Sequence, residues 1–299
     1  MVPPTFHDKK LIYIGDMNHS ARSKLWSEAV SNHVGTCLTV PTLPIRENDQ
    51  QATSVSLPTK IYRRVWYGLR LPRDTYACNQ KLLAKIKAES PDWIWVHKAQ
   101  TIWPQTLKKI KDFFPKVKII FFSEDDMFAR HNSNRYFDKG LKHYDLVVTT
   151  KSYNCNLNEL PAKGAKNVFF INNTYNQFRH RPFPKEDGIA FGSDVGFIGS
   201  FERERAASML FLAKNGIKVR IWGNMWPPQW RVLHPNLIVE GVGLSGDDYP
   251  KAICATKINL CFLRKKNRDL QTTRSIEIPA CGAFMLAERS DEHQGLFAE

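Results

Sequence analysis

The sequence predicts an α/β protein made of two Rossmann-like domains whose parallel sheets face each other across a cleft. Three observations predict it. Short apolar runs alternate with helix-spaced segments along most of the chain. The alternation begins twice with an apolar run, a glycine and a helix. It lapses once, between Asn172 and Gly188. Strands that alternate with helices pair in parallel through right-handed crossovers. We therefore expect a first domain over 1–175, a linker over 176–190 and a second domain over 191–299.

In chain order, the apolar run 10–15 closes on Gly15 and leads through a polar turn into helix-like 21–32. Open α/β sheets bind ligands at the C-terminal ends of their strands, so Gly15, Asp16 and Asn18 are expected at the cleft. Residues 41–60 read as an irregular excursion and 74–89 as a helix with a lysine-rich outer face. Ser90-Pro91-Asp92 stops that helix, and Trp93-Ile-Trp-Val96 reads as a buried strand that ends at His97 and Lys98. A helix over 103–114 and a strand over 117–122 lead to Glu124-Asp125-Asp126. A helix to about 143, a strand over 146–150, a short helix over 152–161 and a strand over 167–171 complete the first series. The second runs through strands at 194–198, 218–222, 237–239, 257–263 and 283–286, with a helix from about 203 to 215 after the first of them.

With 42% hydrophobic and 24% charged residues over 299 positions, the chain is long enough and apolar enough for a sizeable core. No apolar run reaches the ~20 residues that a membrane span needs, and the N-terminal residues lack an apolar signal segment. A cytoplasmic protein is expected, or one peripheral to a membrane. The six cysteines form no CxxC pair, which favours buried reduced thiols and no structural metal. The formal charge of +14 is the compositional anomaly. It fits either a solvated basic surface or an anionic partner such as a nucleotide diphosphate, an acidic surface or an anionic polymer.

The richest stretch is 264–282. It joins Arg264, Lys265, Lys266, Arg268 and Arg274 to Thr272 and Thr273 at an expected helix start and to the carboxylates Asp269 and Glu277. Unpaired N–H groups at a helix start beside cations favour a phosphate or diphosphate. Arg274 is the first candidate for that contact, and Glu277 for a ribose. Gly199-Ser-Phe-Glu-Arg203 follows the first strand of the second domain, which makes Gly199 a pocket residue and Arg203 a second diphosphate candidate. Arg203 and Arg205 are two apart, so only one of them can point inward; Arg205 is expected to pair with Glu202 or Glu204. Gly241-Val-Gly-Leu-Ser-Gly246 has the spacing of a dinucleotide fingerprint, but neither its place in the chain nor the Asp247-Asp-Tyr-Pro250 run after it fits one. A tight turn is expected instead. On the first domain, His97 is read as a general base or a donor to an acceptor hydroxyl, with a satisfied core histidine as the plain alternative. Asp125 and Asp126 either serve an acceptor hydroxyl or cap the next helix.

Residues 274–288, with Asp291-Glu-His-Gln-Gly-Leu-Phe297 after them, resemble the signature of the CgeB-like (spore maturation protein) glycosyltransferases of the GT-B superfamily. Weaker matches are Pro91-Asp-Trp-Ile-Trp-Val-His-Lys98, Phe122-Ser-Glu-Asp-Asp126, Tyr144-Asp-Leu-Val-Val-Thr149, Gly164-Ala-Lys-Asn-Val168 and Phe197-Ile-Gly-Ser200. The resemblance implies a GT-B-like fold and transfer of a sugar from a nucleotide-diphosphate sugar to an acceptor hydroxyl, with no required cofactor or metal and retention favoured. The acceptor class stays open among glycan, lipid, protein and modified nucleic acid. Relatives in the wider group carry a Glu-x7-Glu pair. Here Glu277 holds the second place and Asp269 the first, which implies a donor-sugar role for Asp269. The resemblance also implies terminal helices beyond Glu299, so a shortened form is expected. The alternative reading is a GT-B-fold protein of little or no activity that binds a polyanion through its basic surface.

Overall fold

The computed structural model describes residues 5–18, 21–45, 64–66 and 68–297, and most of the excursion expected over 41–60 lies outside them. The chain divides into two compact units, Met1–Ile171 and Asn172–Glu299. The first carries a six-stranded sheet, the second a five-stranded one, and every strand pair is parallel.

In the first unit, β1 (Phe6–Gly15), β2 (Val34–Pro41), β3 (Trp93–His97), β4 (Lys118–Ser123), β5 (Leu146–Thr149) and β6 (Val168–Phe170) lie in the order β2-β1-β3-β4-β5-β6. Strand parity divides its core. Ile12, Ile14, Ile94 and Val96 pack with Leu82 and Ile86 of α2 (Cys78–Glu89), Leu107 and Ile110 of α3 (Pro104–Phe113) and Phe137 of α4 (Arg135–Gly140). Leu11, Tyr13, Trp93 and Trp95 pack on the other face with Trp26 and Val30 of α1 (Arg22–Ser31). Burial on both faces explains why the central strands read as continuous apolar runs. Each fully buried aliphatic side chain contributes about 1.5–3 kcal/mol.

In the second unit, β7 (Ser193–Ile198), β8 (Val219–Trp222), β9 (Leu237–Val239), β10 (Thr256–Cys261) and β11 (Met285–Ala287) lie in the order β11-β10-β7-β8-β9. Val195 and Phe197 pack against Ala206, Met209 and Ala213 of α5 (Arg203–Lys214). On the opposite face, Ile198 and Cys261 meet Ile253 of α6 (Asp248–Ala255) and Ile278 of α7 (Arg274–Ala280). The last helix is α8 (Asp291–Leu296), whose N-cap Ser290 accepts the His293 N–H.

In each sheet the chain leaves its first strand to one side and later returns to the other. Those switch points lie between β1 and β3 and between β7 and β10. The strand carboxyl ends there are where open sheets take ligands.

Several elements differ from the sequence reading. β2 was not expected: as an edge strand its burial is interrupted, so it lacks a continuous apolar run. α6 was likewise unread, because Pro250 stands in its first turn, a position that tolerates proline. The short helix expected over 152–161 is two 3-10 turns, Ser152–Cys155 and Pro161–Lys163.

The helix expected over 74–89 starts at Cys78, because Ala77 is left-handed (φ 54°) and Asp74 caps from upstream. Asp74 Oδ1 accepts the Cys78 N–H at 2.7 Å and Oδ2 the Asn79 N–H at 2.9 Å. Burial raises the Asp74 pKa, but the Asn79 and Cys78 hydrogen bonds outweigh it and hold the carboxyl below its ordinary range. The stabilisation is therefore present above the ordinary carboxylate pKa and is lost as pH falls through the lowered folded value. Asp74→Ala is expected to destabilise the protein by about 1 kcal/mol at neutral pH. Urea titration should show that difference shrinking in acid.

Candidate functional site

At the second unit's switch point, two arginine side chains bring unmatched hydrogen-bond donors together beside the buried carboxylates Asp269 and Glu277. β7 places the Phe197 ring under α5, and two guanidinium groups lie near it: Arg205 at 5.1 Å and Arg274 at 5.6 Å from the ring centroid. Arg205 is 5% exposed, which is unusual for a group so costly to desolvate. Its Nη2 donates to Ser200 O at 2.7 Å and lies 3.2 Å from Glu202 Oε1. Its Nε and Nη1, and the Nε of Arg274, are buried without a hydrogen-bond partner among the described residues.

Arg264 Nε donates to the same Glu202 carboxylate at 2.8 Å. Burial first, and the charges of Arg274 and Arg264 against the attraction of Glu202 and Asp269, push the Arg205 pKa down to about 10. Cations held apart from water with donors to spare make a receptor for an anion.

Arg203, the arginine favoured from sequence for this contact, is exposed, and Arg205 is the one turned inward. Gly199 lies in the floor beneath. Its N–H donates to Trp222 O at 2.8 Å, and its carbonyl accepts from Trp226 Nε1 at 2.9 Å. A Cβ on Gly223 would stand 2.0 Å from that carbonyl oxygen, so glycine is required there. Gly241 and Gly246 have positive φ, 73° and 58°, and lie in irregular backbone ahead of α6, as the tight-turn reading expected.

Within 264–282 part of the helix start is engaged within the protein. Among the amides at the start of α7, Ser275 N donates to Thr272 O at 3.1 Å, and Ile276 N and Glu277 N donate to Thr273 O at 3.1 and 2.9 Å. Thr272 N donates to Ser275 Oγ at 2.9 Å. Those four amides are engaged, which leaves the amides of Thr273 and Arg274 beside the guanidinium groups at this helix start.

Asp269 is buried and accepts from Asn267 Nδ2 at 2.7 Å. Glu277 is 4% exposed. Its Oε2 accepts from the Tyr249 hydroxyl at 2.6 Å, and its Oε1 lies 3.7 Å from His180 Nε2. His180 Nδ1 accepts the Asn176 N–H at 3.0 Å, which leaves the ring's neutral proton on Nε2, toward Glu277. Behind α7, Ser275 Oγ and His293 Nε2 are 2.7 Å apart and His293 Nδ1 lies 2.7 Å from Glu288 O, which fastens α8 to α7.

The first unit's switch point brings Gly15 and His97 together: a Cβ on Gly15 would lie 3.4 Å from His97 Cβ and 1.9 Å from Ser23 Oγ. By parity His97 falls on the α1 face, among Trp26, Tyr13 and Phe122. Its Nδ1 is 2.6 Å from the Tyr13 hydroxyl. Burial, with lesser contributions from Arg22 and Lys98, pushes its pKa down to about 3.

Asp125 forms an ion pair with Lys98. Asp126 is fully buried, and its Oδ1 accepts from Phe128 N, Ala129 N and Asn154 Nδ2 at 3.1, 3.3 and 2.9 Å, which caps the turn after β4. Arg22 Nε donates to both oxygens of Glu124, at 3.0 and 2.9 Å.

Sequence reasoning passed over Tyr13, His180 and Tyr249; it expected Arg205 to pair with Glu202 or Glu204, and Arg205 does meet Glu202 but from a buried position. Parity along β1 and β3 was the available signal for Tyr13. None existed for His180, whose partner Glu277 is remote in sequence.

A histidine neutral in the fold but protonated when unfolded makes stability fall with acid. Between about pH 6.5 and the folded value, His97 is expected to cost about 1.4 kcal/mol per pH unit. Urea titrations of the wild type and His97→Asn at pH 7 and pH 5 should show a smaller acid loss in the variant.

Residues 203–299 match the family model Glyco_trans_1_2, described as glycosyl transferase-like. No curated protein matches. Among solved structures, sucrose-phosphate synthase of Thermosynechococcus elongatus aligns at 13% identity and TM-score 0.58, over 96% of this chain and 83% of that one. The N-terminal domain of trehalose-6-phosphate phosphatase of Candida albicans aligns at 11% and 0.60, over 93% and 86%. An alpha-glucosyltransferase in complex with UDP and a 13-mer DNA containing a central A:G mismatch aligns at 12% and 0.56, over 93% and 79%. At such identities the likeness is one of fold. The chain thus has a GT-B fold of two parallel-sheet α/β units, and its residues 203–299 match a glycosyl transferase-like domain.

Proposed function

We propose that the protein is a glycosyltransferase that moves a sugar from a nucleotide-diphosphate donor held by the second unit to an acceptor hydroxyl served by the first. The observation that carries this reading is the pair Arg205 and Arg274, whose buried guanidinium donors lack partners at the switch point of the glycosyl transferase-like domain. In the reaction, the bond from the anomeric carbon to the diphosphate oxygen breaks. A bond from that carbon to the acceptor oxygen forms, and the acceptor's proton passes to the departing diphosphate. Negative charge grows on the diphosphate, and fixed cations in a water-poor site stabilise it without rearranging. Arginine charge supplies here what a divalent metal supplies elsewhere.

Glu277, oriented through Oε2 by Tyr249, is assigned to the ribose, and buried Asp269 to the sugar. Gly199 forms the floor, and exposed Arg203 stays an outer candidate for the diphosphate. On the first unit, Gly15, His97 and Asp125 are assigned to the acceptor side. Asp126 is engaged in its turn. Retention of anomeric configuration is the outcome that the family resemblance favours.

The alpha-glucosyltransferase solved with UDP makes UDP the first ligand to test. A panel of nucleoside diphosphates and their sugars should contain one that raises the melting temperature. At a hundred times its dissociation constant the stabilisation is about 2.7 kcal/mol. Arg205→Met, Arg274→Met and Glu277→Ala should each remove most of the shift. A panel without shift or turnover overturns the reading. Steeply salt-dependent binding of a polyanion in its place would favour the non-catalytic alternative.

A further inference from the structure

Tyr13 and His97 stand at the C-terminal ends of adjacent strands, on one face of the sheet, and neither is easily hydrated: Tyr13 is 0% and His97 9% exposed. Their polar atoms meet at 2.6 Å, from Tyr13 Oη to His97 Nδ1. That distance alone permits either direction of donation. The surroundings choose between them.

A phenol always carries a proton to donate unless it ionises, and burial drives the Tyr13 pKa further up from its ordinary value. If His97 Nδ1 donated to Tyr13, the tyrosine's own proton would need a second acceptor. Ser23 is the other side-chain hydroxyl beside Tyr13 and lies near enough to act on it as a hydrogen-bond partner, but its oxygen is outside good hydrogen-bonding geometry with any described residue, so it is a poorly aligned acceptor. The phenol proton would then be buried and poorly satisfied, at much of the desolvation penalty of a lost donor. With Tyr13 as donor, the phenol proton and the Nδ1 lone pair satisfy each other.

We propose that Tyr13 is a positioning residue that locks His97 in its Nε2–H tautomer, so that the imidazole offers an N–H donor rather than a basic lone pair to a substrate oxygen at the first unit's switch point. The Tyr13 hydroxyl occupies the only ring nitrogen that could act as a base. The charged groups around the ring are Arg22 of α1 and Lys98, both of which disfavour an imidazolium. Glu124, which acts on Tyr13, is held by Arg22. The substrate class that fits is a hydroxyl or carbonyl oxygen, as on a sugar. This last clause rests on the transferase reading, whereas the tautomer belongs to the resting protein.

The first test is a long-range proton–nitrogen correlation spectrum of the full chain labelled with 15N-histidine, with His97 assigned by its loss in His97→Gln. At neutral pH the expected signature is a protonated Nε2 and an unprotonated, hydrogen-bonded Nδ1. Tyr13→Phe keeps the ring and removes the lock, so His97 should become a mixture of tautomers while the other histidines keep their signals. A protonated Nδ1 in the wild type overturns the proposal whether or not the variant folds, and so does a folded Tyr13→Phe whose His97 tautomer is unchanged.

The second test uses turnover once a donor is found. Glutamine can present an N–H near the Nε2 position, so His97→Gln should keep kcat/KM within about tenfold of wild type while His97→Ala loses about a hundredfold or more. Equal loss in both would mark His97 as a base and overturn the donor role. Failure of every nucleotide sugar would instead sink the transferase reading, and the spectra would still decide the role of Tyr13.

Discussion

The structure depends on one constraint: a parallel strand can be followed by its neighbour only after the chain has crossed back over the sheet. Each crossover covers a face, and each strand end at the carboxyl edge opens into a loop. Where the direction of winding reverses, two such loops part. Gly15 and His97 mark that place in the first unit, and Gly199 and Arg264 mark it in the second. Chemistry-bearing residues from distant parts of the sequence converge there because strands far apart in the chain end side by side.

Desolvation acts on both sites with opposite results. Arg205 is buried with donors unmatched, yet guanidinium binds its proton too tightly to release it near neutral pH, so the second unit keeps a cation in a poorly solvated place. His97 is buried to a similar degree, but imidazole gives up its proton readily, so the first unit keeps a neutral ring. Under the transferase reading proposed above, that division suits a donor half that takes an anion and an acceptor half that takes a neutral hydrogen-bonding group.

Most of this architecture was legible as pattern. The runs at Leu11–Ile14, Trp93–Val96 and Val195–Ile198 are apolar because both faces are covered, and their order with the helices dictated parallel sheets. Elements at the margin were harder to read. β2 is buried only near its ends because only part of it is covered, and α6 is short with a proline in its first turn.

At the site, the stretch 264–282 was readable because its residues lie together in sequence. Spacing favoured Arg203 over Arg205 for the inward place and the structure turns Arg205 inward, since helix phase at the first turn depends on where the loop releases the chain. Tyr249 and His180 converge on Glu277 only through the packing of the unit, which no spacing encodes.

Gly199 ties three parts of the second unit together. Its carbonyl is held by the Trp226 indole, its amide by Trp222, and the backbone of Gly223 lies too close to it for a side chain to intervene. Gly223 in turn donates to Val242 O at 2.8 Å, which joins the loop after β9 to the same assembly. The loops after β7, β8 and β9 therefore form one stiff plate rather than three independent flaps. Under the proposed reading, a donor arriving there meets a surface whose conformational entropy was surrendered during folding, so selectivity comes from shape already set, and a substitution that loosened any one loop would blur all three.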